Sequence, residues 1–274
     1  YFVSCSTGGR QAMMEAQRFP QDYEGIVAGA PAFNWTQFQT GGHMWAAYAA
    51  NRDAESHVPA SKMKALGDAV NKECDALDGI TDGILNDPRK CTFDPKKLRC
   101  PPGQDNAGCL TAKQAQTITD LWSGSHTDSG ALIYPGYMRG AEADPRGAAA
   151  YLSGTGPGTG THWNQGMSTV RDIIHQDPNW TLTNYNPGRE AAFAKQKLGD
   201  TMDAFNPDLS TFRDRGGRLI LYHGWNDPSI SPLNTINYYE RASTTTSGAQ
   251  DMLRLFMVPG MLHCGGGPGP NQFD

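Results

Sequence analysis

The chain has 274 residues, and its 23 Lys and Arg against 28 Asp and Glu give a formal net charge of −5. This mildly acidic balance, without clusters of Lys or Arg, argues against a nucleic-acid partner, and no apolar run approaches the roughly 18 residues that a membrane span needs. The 32 glycines and 18 prolines predict many turns and long loops in one large domain, or in a domain with a substantial insertion.

The first part of the chain predicts a βαβ unit. Its pattern is a short strand, a turn of small residues, a helix with a small apolar face and a second strand, at residues 1–3, 4–9, 10–18 and 23–29. Pro20 ends the helix, because the residue before a proline disfavours helical backbone. A unit of this kind implies a parallel sheet with a right-handed crossover.

From about residue 34 to about residue 206 the pattern changes. Short helical stretches alternate with Gly- and Pro-rich loops, and helices are predicted at 61–74, 111–123 and 188–198. The run GTGPGTG at 154–160 is similar to a phosphate loop, but no GK[ST] follows it, and we interpret it as a flexible loop. A segment of roughly 170 residues far exceeds ordinary connections. It therefore predicts an inserted domain, residues 36–205.

After residue 206 the βαβ pattern returns. Strands are predicted at 218–223 and 253–258, and helices at 209–215 and 232–242. The fold class is therefore α/β, with a parallel-sheet domain formed by residues 1–35 and 206–274.

Three reactive side chains follow the predicted strands. Ser6 lies in the turn after the first strand, Asp227 after the strand at 218–223, and His263 after the strand at 253–258. The carboxyl ends of parallel strands collect reactive groups, and Ser, Asp, His is the chain order of α/β-hydrolases. The turn Ser4-Cys5-Ser6-Thr7-Gly8 varies the G-x-S-x-G nucleophile elbow, with Ser4 at the first Gly position.

The chemistry gives each residue a candidate role. A serine hydroxyl is a weak nucleophile until an imidazole removes its proton, so His263 would be the base for Ser6. Asp227 would orient His263 and stabilise the imidazolium. The oxyanion needs at least two donors, of which the Thr7 backbone N–H would be one.

The six cysteines predict an oxidising compartment. An even number allows a full set of disulfides, in 15 abstract pairings. Two pairs bracket short loop segments that cannot build a core of their own, Cys74/Cys91 and Cys100/Cys109. Cys5 and Cys264 remain, beside the candidate nucleophile and base, and a disulfide between them would clamp the two together. We expect a secreted protein, and the sequons at Asn34 and Asn179 are compatible with that.

Four segments of the chain resemble one family. They are Cys5-Ser6-Thr7-Gly8-Gly9-Arg10-Gln11, Gly29-Ala30-Pro31-Ala32, Tyr222-His223-Gly224-Trp225-Asn226-Asp227 and Gly260-Met261-Leu262-His263-Cys264. Through them the chain is similar to the tannase/feruloyl esterase family, from Tyr1 to about Cys264. The resemblance implies an α/β-hydrolase fold with a lid domain, a serine esterase with the triad Ser6, Asp227 and His263, and a Cys5–Cys264 disulfide. Ser4 departs from the family, which usually has Gly there.

A calcium site in the lid is also implied by the resemblance. Residues 75–84 concentrate carboxylates, whose oxygens suit a hard cation, and glycines, which permit sharp turns. The residues by themselves slightly favour a cluster of Asx and Gly turns. The resemblance assigns a structural Ca²⁺ to three side chains and two backbone carbonyls, those of Asp75, Asp78 and Asp82 and of Ile80 and Ile84. No organic cofactor is expected.

The substrates that the resemblance implies are small esters of phenolic acids. Ferulate esters of plant cell walls are the first expectation, gallate esters of tannins the alternative, and a catalytically incompetent binding protein on the same scaffold a third possibility. His223 is a candidate for the pocket. Aromatic residues of the lid either line that pocket or, more simply, fill the lid core: Trp122, Tyr134, Tyr137, Trp163 and Trp180.

The chain opens on an apolar run at Tyr1, with no initiator Met and no signal-peptide core. The strand that carries the nucleophile is central in this fold. We therefore expect an N-terminally truncated sheet, with flanking strands and the second oxyanion donor upstream, and a fragment that folds poorly or lacks activity alone.

Overall fold

The structure is a computed structural model and describes residues 1–272. It is an α/β protein with a parallel sheet. In chain order its strands and α-helices are β1 (Phe2–Cys5), α1 (Thr7–Arg18), β2 (Gly25–Gly29), α2 (Trp35–Gln37), α3 (Met44–Asn51), α4 (Ala60–Cys74), α5 (Ala112–Ser123), β3 (Ser125–His126), β4 (Leu132–Tyr134), α6 (Thr161–Met167), α7 (Pro187–Met202), α8 (Ser210–Asp214), β5 (Arg218–Gly224), α9 (Pro232–Thr245) and β6 (Leu253–Val258). Short 3₁₀ turns and wider π-helical turns connect several of them; one π-helical turn, Phe38–His43, joins α2 to α3.

The sheet has the strand order β1-β2-β5-β6, and every pair is parallel. In register, Cys5 lies opposite Gly29, Gly29 opposite Tyr222, and Tyr222 opposite Phe256. The loops that follow the four strands therefore leave from one edge of the sheet, which is where ligand sites form in open α/β folds.

One face of the sheet is buried and the other is not. Alternate residues of β5 show this, because Leu219 and Leu221 are fully buried while Ile220 is 38% exposed. The buried face packs against α1, α8 and α9, whose contributions include Met13, Phe212 and Tyr238. On the other face, Val3 and Phe256 are exposed along with Ile220.

The segment between β2 and α8 has cores of its own. Helices α3, α4 and α5 share one cluster, with Met63, Leu66, Val70 and Ile118 fully buried. A second cluster joins α3 to the π-helical turn Ser168–His175 and to α7. The insertion is thus built mainly from helices, with the two-stranded antiparallel ribbon β3-β4 beside them.

The elements predicted for the sheet half agree closely with the structure, but two helical runs of the insertion were missed. One is the continuous stretch of α2, Phe38–His43 and α3, and the other is α6 with its π-helical continuation. The first is buried on nearly all sides, so it lacks the one-sided apolar periodicity that marks a surface helix. A Cβ on Gly41 would lie 2.6 Å from Ser125 Oγ, so the ribbon comes too close for a larger residue.

All six cysteines form disulfides, in the pairs Cys5–Cys264, Cys74–Cys91 and Cys100–Cys109. The two local pairs, with sequence separations of 17 and 9, staple loops of the insertion. The third joins residues 259 positions apart. In residues 1–272, none of the helices is long and apolar enough to cross a membrane.

Candidate active site

Ser6 occupies a strained turn between β1 and α1. Its φ of 63° and ψ of −122° lie in a region that a residue with a side chain rarely adopts. The Ser6 N–H donates to the Gly29 carbonyl at 2.9 Å, and the Ser6 carbonyl accepts from Arg10 N at 3.0 Å. The backbone is therefore held on both sides of the strained residue, as in a nucleophile elbow.

Small residues make the turn possible. A Cβ on Gly8 would collide with Ser4 Oγ, and one on Gly9 would lie 2.5 Å from the Gly29 carbonyl oxygen. Gly9 thus lets α1 approach the end of β2. The serine at position 4 is accommodated because Gly8 leaves room for its hydroxyl.

Ser6, His263 and Asp227 form one chain of hydrogen bonds. Ser6 Oγ lies 2.9 Å from His263 Nε2, and His263 Nδ1 lies 2.8 Å from Asp227 Oδ2. These hydrogen bonds connect the turn after β1 with the loops after β5 and β6, so the edge of the sheet brings together residues 257 positions apart. The structure thus places the three predicted residues in the geometry of a serine nucleophile with its base and orienting acid.

The charges of the site support that order of roles. Asp227 is 2% exposed, and burial raises the pKa of its carboxyl. The charge of His263 and the hydrogen bonds from His263 and His223 outweigh burial, so the net pKa lies below its ordinary value. Burial lowers the pKa of His263, whereas the charge and hydrogen bond of Asp227 raise it more, so the net pKa is raised. Asp227 is therefore an anion that strengthens the basicity of His263.

Thr7 is the first residue of α1, so its N–H has no partner within the helix. It lies next to Ser6 at the positive end of the helix dipole, where a developing oxyanion is stabilised. Thr7, predicted as an oxyanion donor, thus lies at a helix N-terminus beside Ser6.

The disulfide Cys5–Cys264 lies beside the hydrogen bond between Ser6 and His263. Its Cα atoms are 5.9 Å apart, and its two cysteines are the immediate neighbours of Ser6 and His263. The φ of 61° at Cys264 is positive, as at Ser6. The covalent link therefore restrains Ser6 and His263 relative to each other.

His223 does not lie where the sequence led us to expect it. Its side chain is fully buried, and Nε2 lies 3.0 Å from Asp227 Oδ2 while Nδ1 lies 2.8 Å from Thr235 Oγ1. The expectation of a pocket-lining residue is corrected, because both ring nitrogens are engaged inside the protein. The strand alternation of β5 carries this information, since His223 lies on the same face as the buried Leu219 and Leu221.

The aromatic residues predicted from the lid are mostly core residues. Tyr134, Tyr137 and Trp180 are buried, and Trp163 packs against the cluster that contains Trp180. Trp122 and Tyr137 line a small internal cavity that reaches Asp227. The Tyr137 hydroxyl donates to the Ser229 carbonyl at 3.1 Å, so it connects the insertion to the loop of Asp227.

A pair of buried histidines near the triad was missed. His43, in the π-helical turn, and His162, in α6, meet through their Nδ1 atoms at 2.8 Å. Burial lowers the pKa of His43 well below its ordinary value and that of His162 to about 3, so both imidazoles are neutral. The Nδ1–H of one ring then donates to the Nδ1 of the other. Their separation of 119 residues leaves no spacing signal in the sequence.

The predicted calcium loop folds around its own backbone. Asp75 is buried and accepts the Gly83 N–H at 3.0 Å, and the exposed Asp78 and Asp82 accept the N–H groups of Ile80 and Ile84, each at 3.0 Å. Across residues 1–272, no three His, Cys, Asp or Glu side chains converge as a metal site would require. The oxygen donors have the chemistry that Ca²⁺ prefers, and calcium binding stays a prediction.

The chain is similar to several known esterases. The chain is 35% identical over 278 residues to a probable feruloyl esterase B of Aspergillus clavatus, with 98% of the chain and 50% of that protein covered. It is 36% identical over 297 residues to an uncharacterized esterase of Xanthomonas campestris pv. campestris, with coverages of 100% and 51%. The crystal structure of feruloyl esterase B from Aspergillus oryzae superposes with a TM-score of 0.84 at 30% identity, covering 98% of the chain and 55% of that structure.

The chain thus spans about half the length of the curated relatives it matches. The family described as "Tannase and feruloyl esterase" matches residues 1–274. The match covers the elbow, the inserted segment and the loops of Asp227 and His263 together. The chain belongs to the tannase and feruloyl esterase family.

Proposed function

We propose that the chain carries the catalytic centre of a serine carboxylic ester hydrolase of the α/β-hydrolase fold, which acts on phenolic-acid esters and most readily on feruloyl esters. The observation that carries this proposal is the hydrogen-bonded chain from Ser6 through His263 to Asp227. The feruloyl preference is supported by the names of the relatives in Aspergillus clavatus and Aspergillus oryzae.

In the proposed reaction, His263 Nε2 removes the proton of Ser6 Oγ as the oxygen attacks the ester carbonyl. The carbonyl oxygen becomes an oxyanion, which the Thr7 N–H stabilises at the start of α1. His263 then gives its proton to the leaving alcohol, and an acyl-enzyme ester on Ser6 remains. Water, deprotonated by the same imidazole, attacks this ester and releases the phenolic acid and the Ser6 hydroxyl.

The pH dependence follows from the base. His263 accepts a proton from Ser6 only when it is neutral, and Asp227 raises the pKa of His263 above its ordinary value. Activity should therefore fall on the acid side at a higher pH than an unperturbed imidazole would give.

We also propose that the protein acts outside the cytosol. Three disulfides with no unpaired cysteine are typical of secreted proteins.

The test is hydrolysis of methyl ferulate and methyl gallate by the natural polypeptide that contains this chain, compared with its Ser6→Ala variant. We expect faster turnover of methyl ferulate and a loss of at least about 10³-fold in the variant, without a change in melting temperature. A preference for methyl gallate would make the protein a tannase. Equal inactivity of both proteins on both esters would contradict an esterase.

A further inference from the structure

The buried His223 is bound from three sides. Its Nε2 lies 3.0 Å from Asp227 Oδ2 and 3.1 Å from the Ile230 carbonyl oxygen, and its Nδ1 lies 2.8 Å from Thr235 Oγ1. Both neighbours of Nε2 are acceptors, so the ring proton must lie on Nε2. Nδ1 is then free to accept from the Thr235 hydroxyl, and the orientation of the ring is fixed.

Asp227 accepts four hydrogen bonds, two on each oxygen. The backbone N–H groups of Ser229 and Ile230 donate to Oδ1 at 2.8 and 3.0 Å. His223 and His263 both donate to Oδ2, at 3.0 and 2.8 Å. Two imidazoles thus share one carboxylate oxygen, one facing Ser6 and the other facing the core.

The contacts of Ile230 close this arrangement into a ring. Its N–H donates to Asp227 Oδ1, and its carbonyl accepts from the His223 Nε2–H that also donates to Oδ2. Rotation of the Asp227 carboxylate would break bonds on both oxygens at once. A buried carboxylate held in this way keeps one orientation toward His263.

We propose that His223 is a positioning residue for the esterase reaction: its Nε2–H locks Asp227 Oδ2 against His263 Nδ1 and takes up part of the negative charge that His263 would otherwise meet. This inference rests on the proposed function. Removal of the His223 donor should leave a freer and more basic carboxylate, which holds the proton on His263 more strongly, so that less of His263 is neutral at a given pH and its proton passes more slowly to the leaving alcohol.

Other titratable groups surround Asp227 and His263, and substitutions at His223 leave them unchanged. On the side of the inserted segment, the electrostatic interactions of Asp227 and His263 extend to two imidazoles, His43 in the π-helical turn Phe38–His43 and His162 in α6, and to three phenols, Tyr134 in β4 and Tyr137 and Tyr151 between β4 and α6. The lowered pKa values of His43 and His162 keep both neutral where the esterase would work. A shift caused by a change at His223 can therefore be assigned to His263.

The experiment compares His223→Gln with His223→Asn in the natural polypeptide, with methyl ferulate as the substrate. Glutamine carries an amide N–H at about the position of Nε2, whereas asparagine carries one at about the position of Nδ1, so only glutamine can still donate to Asp227. Ser231→Ala is the structural control, because it removes a buried hydrogen bond to the Gly136 carbonyl beside the same loop without touching Asp227.

We expect His223→Gln to keep the acid limb of the kcat/KM profile at its wild-type pH. His223→Asn should move that limb to higher pH and lower the plateau by about 10- to 100-fold, the loss expected for one hydrogen bond to a charged group. Ser231→Ala should lower the melting temperature alone.

Identical pH profiles for the two His223 variants would overturn the proposal, as would a His223→Asn protein that loses only stability. Should His223→Asn fail to fold, His223→Gln decides, since a displaced acid limb in that variant contradicts the proposal and an unmoved limb supports it. An inert wild-type protein would instead contradict the proposed function, and the role of His223 with it.

Discussion

Asp227 and Asp75 are both buried carboxylates, 2% and 7% exposed, but their surroundings differ in kind. The partners of Asp75 are backbone N–H groups of its own loop, at Asp82 and Gly83. Asp227 has two such local donors, and in addition two imidazoles, one of them on another loop. Local N–H donors hold Asp75 within its own loop, whereas contacts to titratable groups from distant parts of the chain, as at Asp227, are typical of functional sites.

The largest expected effect separates the two carboxylates directly. Asp227→Asn should lower kcat/KM for methyl ferulate by about 10⁴-fold, because the amide cannot stabilise the imidazolium of His263. The matched variant Asp75→Asn removes the same charge from the loop at residues 75–84 and should leave kcat/KM within the error of the assay while lowering the melting temperature. Steady-state kinetics and thermal unfolding of both variants check this. A comparable loss of activity in Asp75→Asn would show that the comparison is wrong.

The disulfides should divide in the same way. Replacing Cys5 and Cys264 by Ala removes a link that closes a loop of 259 residues, worth about 5.5 kcal/mol by chain entropy, and frees Ser6 relative to His263. Replacing Cys74 and Cys91 removes a link over 17 residues, worth about 3 kcal/mol. We expect lower stability in both double variants but a loss of kcat in the first alone. Urea unfolding and kinetics measure the two effects, and equal kcat values would contradict a clamp.

The smallest effect concerns calcium. If the loop of Asp75, Asp78 and Asp82 binds the ion, a tenfold excess of Ca²⁺ over its dissociation constant stabilises the fold by about 1.4 kcal/mol. The melting temperature of EDTA-treated protein should then rise on addition of CaCl₂, and Asp78→Asn should abolish the rise. Activity should not depend on the ion beyond its effect on folding. An unchanged melting temperature of the wild type with both EDTA and CaCl₂ would contradict a calcium site in this loop.

The sequence predicted the sheet half well because its signals are local. The apolar runs of β5 and β6, the small residues around Ser6 and the cysteine next to each reactive residue can all be recognised within a few positions. Their meeting in space follows from one rule, the common edge of parallel strands. Three residues far apart in the chain could therefore be assigned to one site.

The parts that could not be predicted depend on contacts between distant segments. The pairing of His43 with His162 is set by the packing of α6 against the helices before it. The burial of His223 follows from the alternation of β5, but its partner Thr235 is supplied by α9. The run from α2 to α3 is buried all round, so its composition carries no amphipathic period. Each case is decided by tertiary packing, which spacing along the chain does not encode.

If Ser6 is a nucleophile activated by His263, it should react covalently with an electrophile that other serines do not attack. The protein is treated with a p-nitrophenyl alkylphosphonate, whose phosphorus accepts an activated serine oxygen and releases p-nitrophenol, and the labelled peptide is identified by mass spectrometry. We expect one phosphonyl group on Ser6 in the wild type and none in His263→Ala. A label on another residue, or equal labelling of Ser6 in the two proteins, would contradict it.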